Sequence, residues 1–238
     1  MSNARQRVHQ AVRRDIVDEA RRQLAETGAA GLSLRAVARE LGMASSAMYR
    51  YFASRDELIT ALIVEAYDAM GEVAEQAATT GGPAARRIAE VCRAVRAWSL
   101  DHPYEYGLLY GSPVPGYEAP GLTTGPASRV VDTLGRLVVD GWEHGEVTPG
   151  DHPPVPRPLA AQVKRLGQLA MPGVPTWTVA RATQVWALLF GQIGFEVFGR
   201  MTQVVEAPEV LFEFTIATML DLVGIAPDRR TGPRSKSA

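Results

Sequence analysis

The sequence carries a single cysteine, Cys92, in 238 residues. One thiol closes no intrachain disulfide and supplies no CxxC metal or redox pair, which suits a reducing compartment. A secretory leader is also missing: residues 1–24 (MSNARQRVHQAVRRDIVDEARRQL) are charged throughout and contain no apolar h-region. Long apolar runs are lacking too. The stretches around 185–198 and 210–223 are broken by Gln192, Glu196, Glu213 and Asp221, so neither reads as a membrane span. These absences predict a soluble, cytoplasmic chain with no membrane partner.

Enzyme fingerprints are equally scarce. No HExxH, P-loop, GxSxG or dinucleotide-binding pattern occurs. The four histidines, His9, His102, His144 and His152, are scattered, and none sits at ligand spacing with Cys92 or a carboxylate pair. His102, just ahead of Pro103, reads as a helix-end cap. No catalytic residue, metal or cofactor is expected. Strand-like alternation and internal repeats are absent as well, which points to an all-α fold.

A chain of this length buries roughly 70–75% of its unfolded surface and sustains a full core. The formal net charge of -1 hides an asymmetry. Residues 1–60 hold 10 Arg against 7 acidic residues, whereas the remainder holds 15 Lys and Arg against 19 acidic residues. A basic end on an acidic body suits a protein that meets phosphates at one end.

Periodicity and breakers predict helices at about 13–26, 33–41, 43–52, 54–79, 84–100, 104–110, 127–144, 178–201 and 208–223. Thr27-Gly28 closes the first. Ser54 and Glu57 form a capping-box pair at the start of the fourth, and Thr79-Thr-Gly-Gly-Pro83 is a clear break. The segments 111–126, 147–158 and 171–176, rich in Pro and Gly, read as loops, with one short helix between the last two. Residues 226–238 read as a disordered tail.

The strongest signal is residues 33–62, SLRAVARELGMASSAMYRYFASRDELITAL. Val37, Ala38 and Leu41 share one helix face, and Gly42 permits a tight turn. Met48 and Phe52, four apart, share the inward face of the next short helix and can pack on Val37, Leu41 and Leu58. Ser45, Ser46, Tyr49 and Arg50 then fall on the opposite face. Two short helices locked at a steep angle leave the second free to enter a major groove.

This block resembles the TetR family of transcriptional regulators. The run Ala38-x-x-Leu41-Gly42, Met48-Tyr49-x-Tyr51-Phe52 and Ser54-x-x-Glu57-Leu58 is similar to that family's N-terminal signature. One departure is Ala44, where many members carry a Ser or Thr cap; Ser45 or Ser46 is expected to take over. The resemblance implies an N-terminal three-helix helix-turn-helix domain (1–58) and a larger helical-bundle ligand and dimerisation domain (59–225). By resemblance and by geometry, Ser45, Ser46, Tyr49 and Arg50 face double-stranded operator DNA, with Arg50 able to donate bidentately to guanine. Tyr51 divides evenly between a DNA contact and packing. Ser33, Arg35 and Arg55 are placed for DNA-backbone contacts, and Arg5, Arg7, Arg13 and Arg14 for an arm over the adjacent groove.

Helices 178–201 and 208–223 are apolar around most of their circumference, so they are expected to be buried on two sides. The second side is read as a homodimer seam eased by Gly191 and Gly194. The aromatic segment Trp98 to Tyr110 and the run Gly191 to Gly199 look like the C-terminal domain of one TetR branch named for its Trp/His/Gly pattern. An apolar or aromatic effector of unknown identity is therefore expected among Trp98, His102, Tyr106, Tyr110, Trp186, Phe190 and Phe195. The reading is of a repressor released from a palindromic operator by that effector. An activating or ligand-independent regulator, or an all-helical small-molecule-binding enzyme, stays open as the alternative.

Overall fold

The structure, a computed structural model, describes residues 2–150 and 153–226. The tail read as disordered lies, from residue 227 on, outside the described residues. Ten α-helices follow in order: α1 (Ser2–Gly31), α2 (Leu34–Glu40), α3 (Ser45–Met48), α4 (Arg55–Ala78), α5 (Ala84–Asp101), α6 (Pro103–Tyr110), α7 (Thr124–Glu143), α8 (Arg157–Ala170), α9 (Thr176–Val197) and α10 (Pro208–Val223). Among the described residues there is no β-strand, only an isolated antiparallel bridge between Val147 and Ile225. The all-α class follows.

Two compact units emerge. The first comprises residues up to 69 together with 102–127; the second comprises 70–101 and the chain from 128 onward. Helix α4 is thus continuous through both. The segment 102–127, which the sequence reading grouped with the larger domain, packs in the first unit: α6 lies against α1, and Val114 and Tyr117 reach the N-terminal core.

The first unit is built around Ile16, Val17 and Ala20 of α1, Val37 and Ala38 of α2, Met48, Phe52, and Leu58, Ile59 and Leu62 of α4. Each of these is almost wholly withdrawn from solvent. Ser54 and Glu57 cap α4 as expected from their spacing: the Ser54 hydroxyl accepts from the Glu57 N–H at 3.1 Å. The Glu57 carboxylate reaches one residue further back than a standard box, accepting from the Ala53 N–H at 2.6 Å. Arg55 ties α4 to the end of α1, donating to the carbonyls of Ala29 at 2.7 Å and Leu32 at 3.1 Å. Ala29 lies in the last turn of α1 and Leu32 just past it, where helix-end carbonyls call for partners from outside the helix.

In the second unit α9 is central, with α5, α8 and α10 packed on it. Val179, Leu189 and Ile193 of α9 and Phe212, Ile216 and Met219 of α10 are buried. Helix α5 is pinned by arginines on three sides. Arg87 pairs with Asp140 of α7, Arg93 bidentately with Glu213 of α10 at 2.6 and 2.7 Å, and Arg96 with Glu196 of α9 at 2.7 Å. The guanidinium bonded to Glu213 holds that carboxyl below its ordinary range.

Several helix ends differ from expectation for identifiable reasons. Helix α1 begins far earlier than residue 13; at Gly28, whose φ of 68° is non-helical, its main run breaks as Thr27-Gly28 predicts, and a further short helical piece follows to Gly31. Helix α9 stops at Val197 and not near 201. There Gly199 takes a positive φ of 66°, and the N–H groups of Gly199 and Arg200 return to the carbonyls of Glu196 and Phe195, a Schellman closure. The helix between the two late loops is not short: α8 runs 14 residues, with Pro158 tolerated in its first turn.

Gly224 closes α10 the same way, at φ 82°, and a Cβ there would lie 2.1 Å from the Thr148 carbonyl oxygen. Gly224→Ala is expected to destabilise the protein by about 2 kcal/mol or more in urea unfolding, since steric overlap adds to the left-handed cost. Gly42→Ala, with φ 63° but open space around its Cβ, should cost only about 1 kcal/mol. Arg55→Ala should cost about 1–2 kcal/mol by removing the guanidinium bonds to the Ala29 and Leu32 carbonyls.

Candidate nucleic-acid interface

The candidate surface is organised by the turn between α2 and α3. Gly42 adopts φ 63°, its N–H bonds the Arg39 carbonyl at 3.1 Å, and the Met43 N–H bonds the Ala38 carbonyl at 2.8 Å. This closure ends α2 and turns the chain directly into α3, with Met43 packed on the core. Ala44 itself occupies the N-cap position with no side-chain cap, so neither Ser45 nor Ser46 replaces the missing hydroxyl and the helix does not start late. The helix is four residues long and then tightens: the N–H groups of Arg50 and Tyr51 reach the carbonyls of Ala47 and Met48 three residues back.

Met48 and Phe52 are fully buried, while Ser45, Ser46, Tyr49 and Arg50 are exposed, Tyr49 by 50%. The structure therefore gathers these four on one outward face. Arg35 is exposed on the first turn of α2. Ser33, at the α2 N-cap position, is half-buried and makes no side-chain cap bond. Two of the sequence-derived residues are turned to other tasks. Tyr51 is half-buried against the core, its ring 4.7 Å from that of His9. Arg55 is engaged with the α1 carbonyls described above.

The electrostatics sharpen this face. Arg21 pairs with Asp18, Glu65 and Glu105, and Arg22 with Glu19 and Glu26, so Asp18, Glu19 and Glu26 of α1 are matched by neighbouring cations. The Arg22 guanidinium, hydrogen-bonded to Glu19, lowers that carboxyl's pKa. Among the described residues, Arg35 and Arg50 have no ion-pair partner. The expected N-terminal arm is helical: Arg5, Arg7 and Arg14 lie exposed along α1, but Arg13 stacks 4.5 Å over the Phe52 ring. Sequence spacing offered no sign of that stacking, because Arg13 and Phe52 are far apart in the chain.

Of the residues read as an effector site, His102, Tyr106 and Tyr110 belong to the first unit, and Trp98, Trp186, Phe190 and Phe195 to the second. Tyr106 is fully buried, its ring 5.1 Å from Tyr110, which meets Tyr67 edge-on at 6.1 Å. Burial raises the pKa of all three hydroxyls and keeps them neutral. His102 stands at the N-cap of α6, with no side-chain cap bond; its carbonyl accepts from the Tyr106 N–H at 2.9 Å. Phe195 is 54% exposed on the outer side of α9, and Trp98 is buried. Trp186 lines a cavity bounded by α5, α7, α8, α9 and α10. Sequence reasoning missed that cavity. Its available signal was the set of small residues, Gly135, Ala170 and Ala182, placed among larger apolar ones on successive helices.

Along α9 and α10 a second apolar face is left exposed: Leu188 and Phe195 on α9, Phe198 at its C-cap, and Val210 and Phe214 on α10. No described helix is long and apolar enough to cross a membrane.

Comparison with known proteins places this architecture. Residues 16–62 match the bacterial regulatory proteins of the tetR family, and residues 88–219 match the tetracyclin repressor-like C-terminal domain. An HTH-type transcriptional regulator of Mycobacterium tuberculosis (strain ATCC 25618 / H37Rv) is 40% identical over 203 residues, covering 83% of this chain and 86% of its own; one from Mycobacterium bovis matches equally. Among solved structures, the regulatory protein SCO4313 superposes with a TM-score of 0.73 at 34% identity, covering 91% of this chain and 98% of its own. A Rhodococcus sp. RHA1 protein of unknown function shares the fold, with a TM-score of 0.67 at 24% identity, covering 90% and 95%. The family and these curated relatives are regulators and not enzymes. This chain belongs to the TetR family of DNA-binding transcriptional regulators.

Proposed function

We propose that the protein is a cytoplasmic repressor that holds a palindromic operator as a homodimer and releases it when a small apolar molecule binds. The carrying observation is the outward quartet Ser45, Ser46, Tyr49 and Arg50, set opposite the buried Met48 and Phe52. A face of two hydroxyls, a phenol and an unpaired guanidinium matches the donors and acceptors of base edges in the major groove. Arg50 is assigned to a guanine, Tyr49 to a phosphate or a thymine methyl, and Arg35, with Arg5 and Arg14, to phosphates. Ser33 stands at the edge of this face, while Tyr51 and Arg55 hold its shape.

Dimerisation is assigned to α9 and α10, whose exposed Leu188, Phe195, Phe198, Val210 and Phe214 form an apolar strip unusual for a free surface. Gly191, with open space at its Cβ position, leaves room for close approach there. Two-fold symmetry then sets two recognition helices about 34–36 Å apart, one helical turn of DNA. DNA reading is assigned to residues 1–58, effector binding and dimerisation to 59–225. Because α4 runs through both units, an effector that favours one of two dimer states changes the spacing of the recognition helices. An effector with equal affinity for both states would leave DNA affinity unchanged.

In a mobility-shift assay on the protein's own upstream DNA, Arg50→Ala should weaken binding by roughly 10- to 100-fold, the worth of one bidentate base contact. Tyr49→Ala should weaken it less, with the oligomeric state unchanged. Retention of full affinity by both variants would refute the assigned reading face. Phe195→Asp with Phe214→Asp should convert the dimer to monomer in sedimentation and abolish the shift; a dimer that survives both changes places the seam elsewhere.

A further inference from the structure

Helix α8 is held to the second unit along a narrow line. Of its 14 residues only Val163 and Gly167 are buried. Gly167 lies so close to Val179 of α9 that a Cβ there would stand 3.0 Å from Val179 Cγ2. Empty space flanks this crossing on either edge of the helix. A gap of about 220 Å³ is lined by Lys164 and Gln168, together with Val174 and Thr176 at the start of α9. The cavity that Trp186 lines takes Leu166 and Ala170 from the other edge. Three leucines of α8, Leu159, Leu166 and Leu169, are left exposed. Among the described residues, no side chain of α8 makes a hydrogen bond or ion pair. Helix α5, by contrast, is cross-linked by guanidinium–carboxylate pairs to α7, α9 and α10.

Both ends of α8 return to the start of α9. Upstream, the Pro153 carbonyl accepts from Arg181, a buried residue in the second turn of α9, at 3.0 Å. Downstream, Met171-Pro172-Gly173-Val174-Pro175 leads straight into α9, with Gly173 at φ 81°. Helix α8 therefore stands between two proline-bounded feet planted on the first two turns of one neighbour. Proline and the left-handed glycine fix these feet, while the helix between them carries few contacts of its own.

We propose that α8 is a lid that swings away from α9 between those feet and opens the interior of the second unit to solvent while α5, α7, α9 and α10 stay packed. The motion gives up the burial of Val163 and the Gly167–Val179 contact, and it breaks no ion pair among the described residues. Elements with so few buried apolar contacts lie at the low-stability end of a fold. The lid does not depend on the ligand-responsive reading above, and its test needs no DNA and no effector. The chain carries its own reporter of opening. Cys92, its one cysteine, lines the cavity that α8 edges and is 1% exposed. Burial pushes its thiol up to about 12, so the closed state offers almost no thiolate.

The full-length protein is treated with the thiol reagent dithiobis(nitrobenzoate), and the rate of Cys92 labelling is followed from urea-free buffer to full unfolding. Opening of α8 exposes little surface, so at low urea the rate should change little with denaturant. It should stand about tenfold or more above the value extrapolated from global unfolding. Val163→Ala trims the one sizeable buried side chain of α8 and lies outside the cavity that holds Cys92. It should raise the low-urea rate by about tenfold. Ile216→Val, in the buried face of α10, should lower global stability yet leave the low-urea rate unchanged, because closed and open states share its packing. Amide hydrogen exchange on the wild type decides the matter without a variant. A helix of 14 residues frays once undocked, so α8 should exchange faster than α5, α9 and α10. Labelling at the rate of a free thiol, a rate tied to global unfolding at every urea concentration, or exchange in α8 no faster than in α9 would overturn the lid.

Discussion

The burial of Met48 and Phe52 in the N-terminal core sets the orientation of a helix only four residues long. So short a helix has no stability of its own. Its rotation about its axis is dictated by which side chains reach the hydrophobic cluster formed by α1, α2 and α4. With those two side chains inward, the i, i+1, i+4 and i+5 positions have nowhere to point but outward. The Gly42 closure, the Ser54–Glu57 cap and the Arg55 bonds to the end of α1 all restrain the segments on either side of that helix. Even Arg13, a cation that would otherwise be available to a phosphate, is laid across the Phe52 ring.

Charge is arranged by the same logic. The N-terminal region has only a modest excess of arginine, and counting alone would not mark it as a DNA-binding surface. What distinguishes it is the pairing pattern. Arg21 and Arg22 face carboxylates on their own helix and neighbours, whereas Arg35 and Arg50 are left to solvent. In the second unit, by contrast, Arg87, Arg93 and Arg96 of α5 are bound to Asp140, Glu213 and Glu196 and act as cross-links between helices. Only unpaired cations are positioned to displace counterions from a nucleic acid without first breaking an internal bond.

Local chemistry explains which parts were legible in the sequence. The helix-turn-helix could be read because its determinants are contiguous: a glycine at the turn, two inward apolar residues four apart, and a capping pair. Helix ends were harder. Gly28 signals a stop and the backbone does leave the helix there, while Gly199, which ends α9, lies inside a run that reads as continuous helix. Ala44 is a cap position without a capping side chain, a departure that the rest of the motif absorbs. The cavity of the second unit was illegible for a different reason: it is made by what several helices lack, and absent side chains leave little trace in periodicity.

The central claim is that the outward face of α3 reads base edges. Methylation interference at guanine N7 on the bound DNA tests it most directly, because that atom accepts a hydrogen bond from a bidentate arginine. The account predicts two symmetric guanines, about one helical turn apart, whose methylation blocks the wild-type protein. In Arg50→Ala that interference should vanish while the phosphate contacts persist. An unchanged pattern in Arg50→Ala, or a pattern without two-fold symmetry, would contradict it.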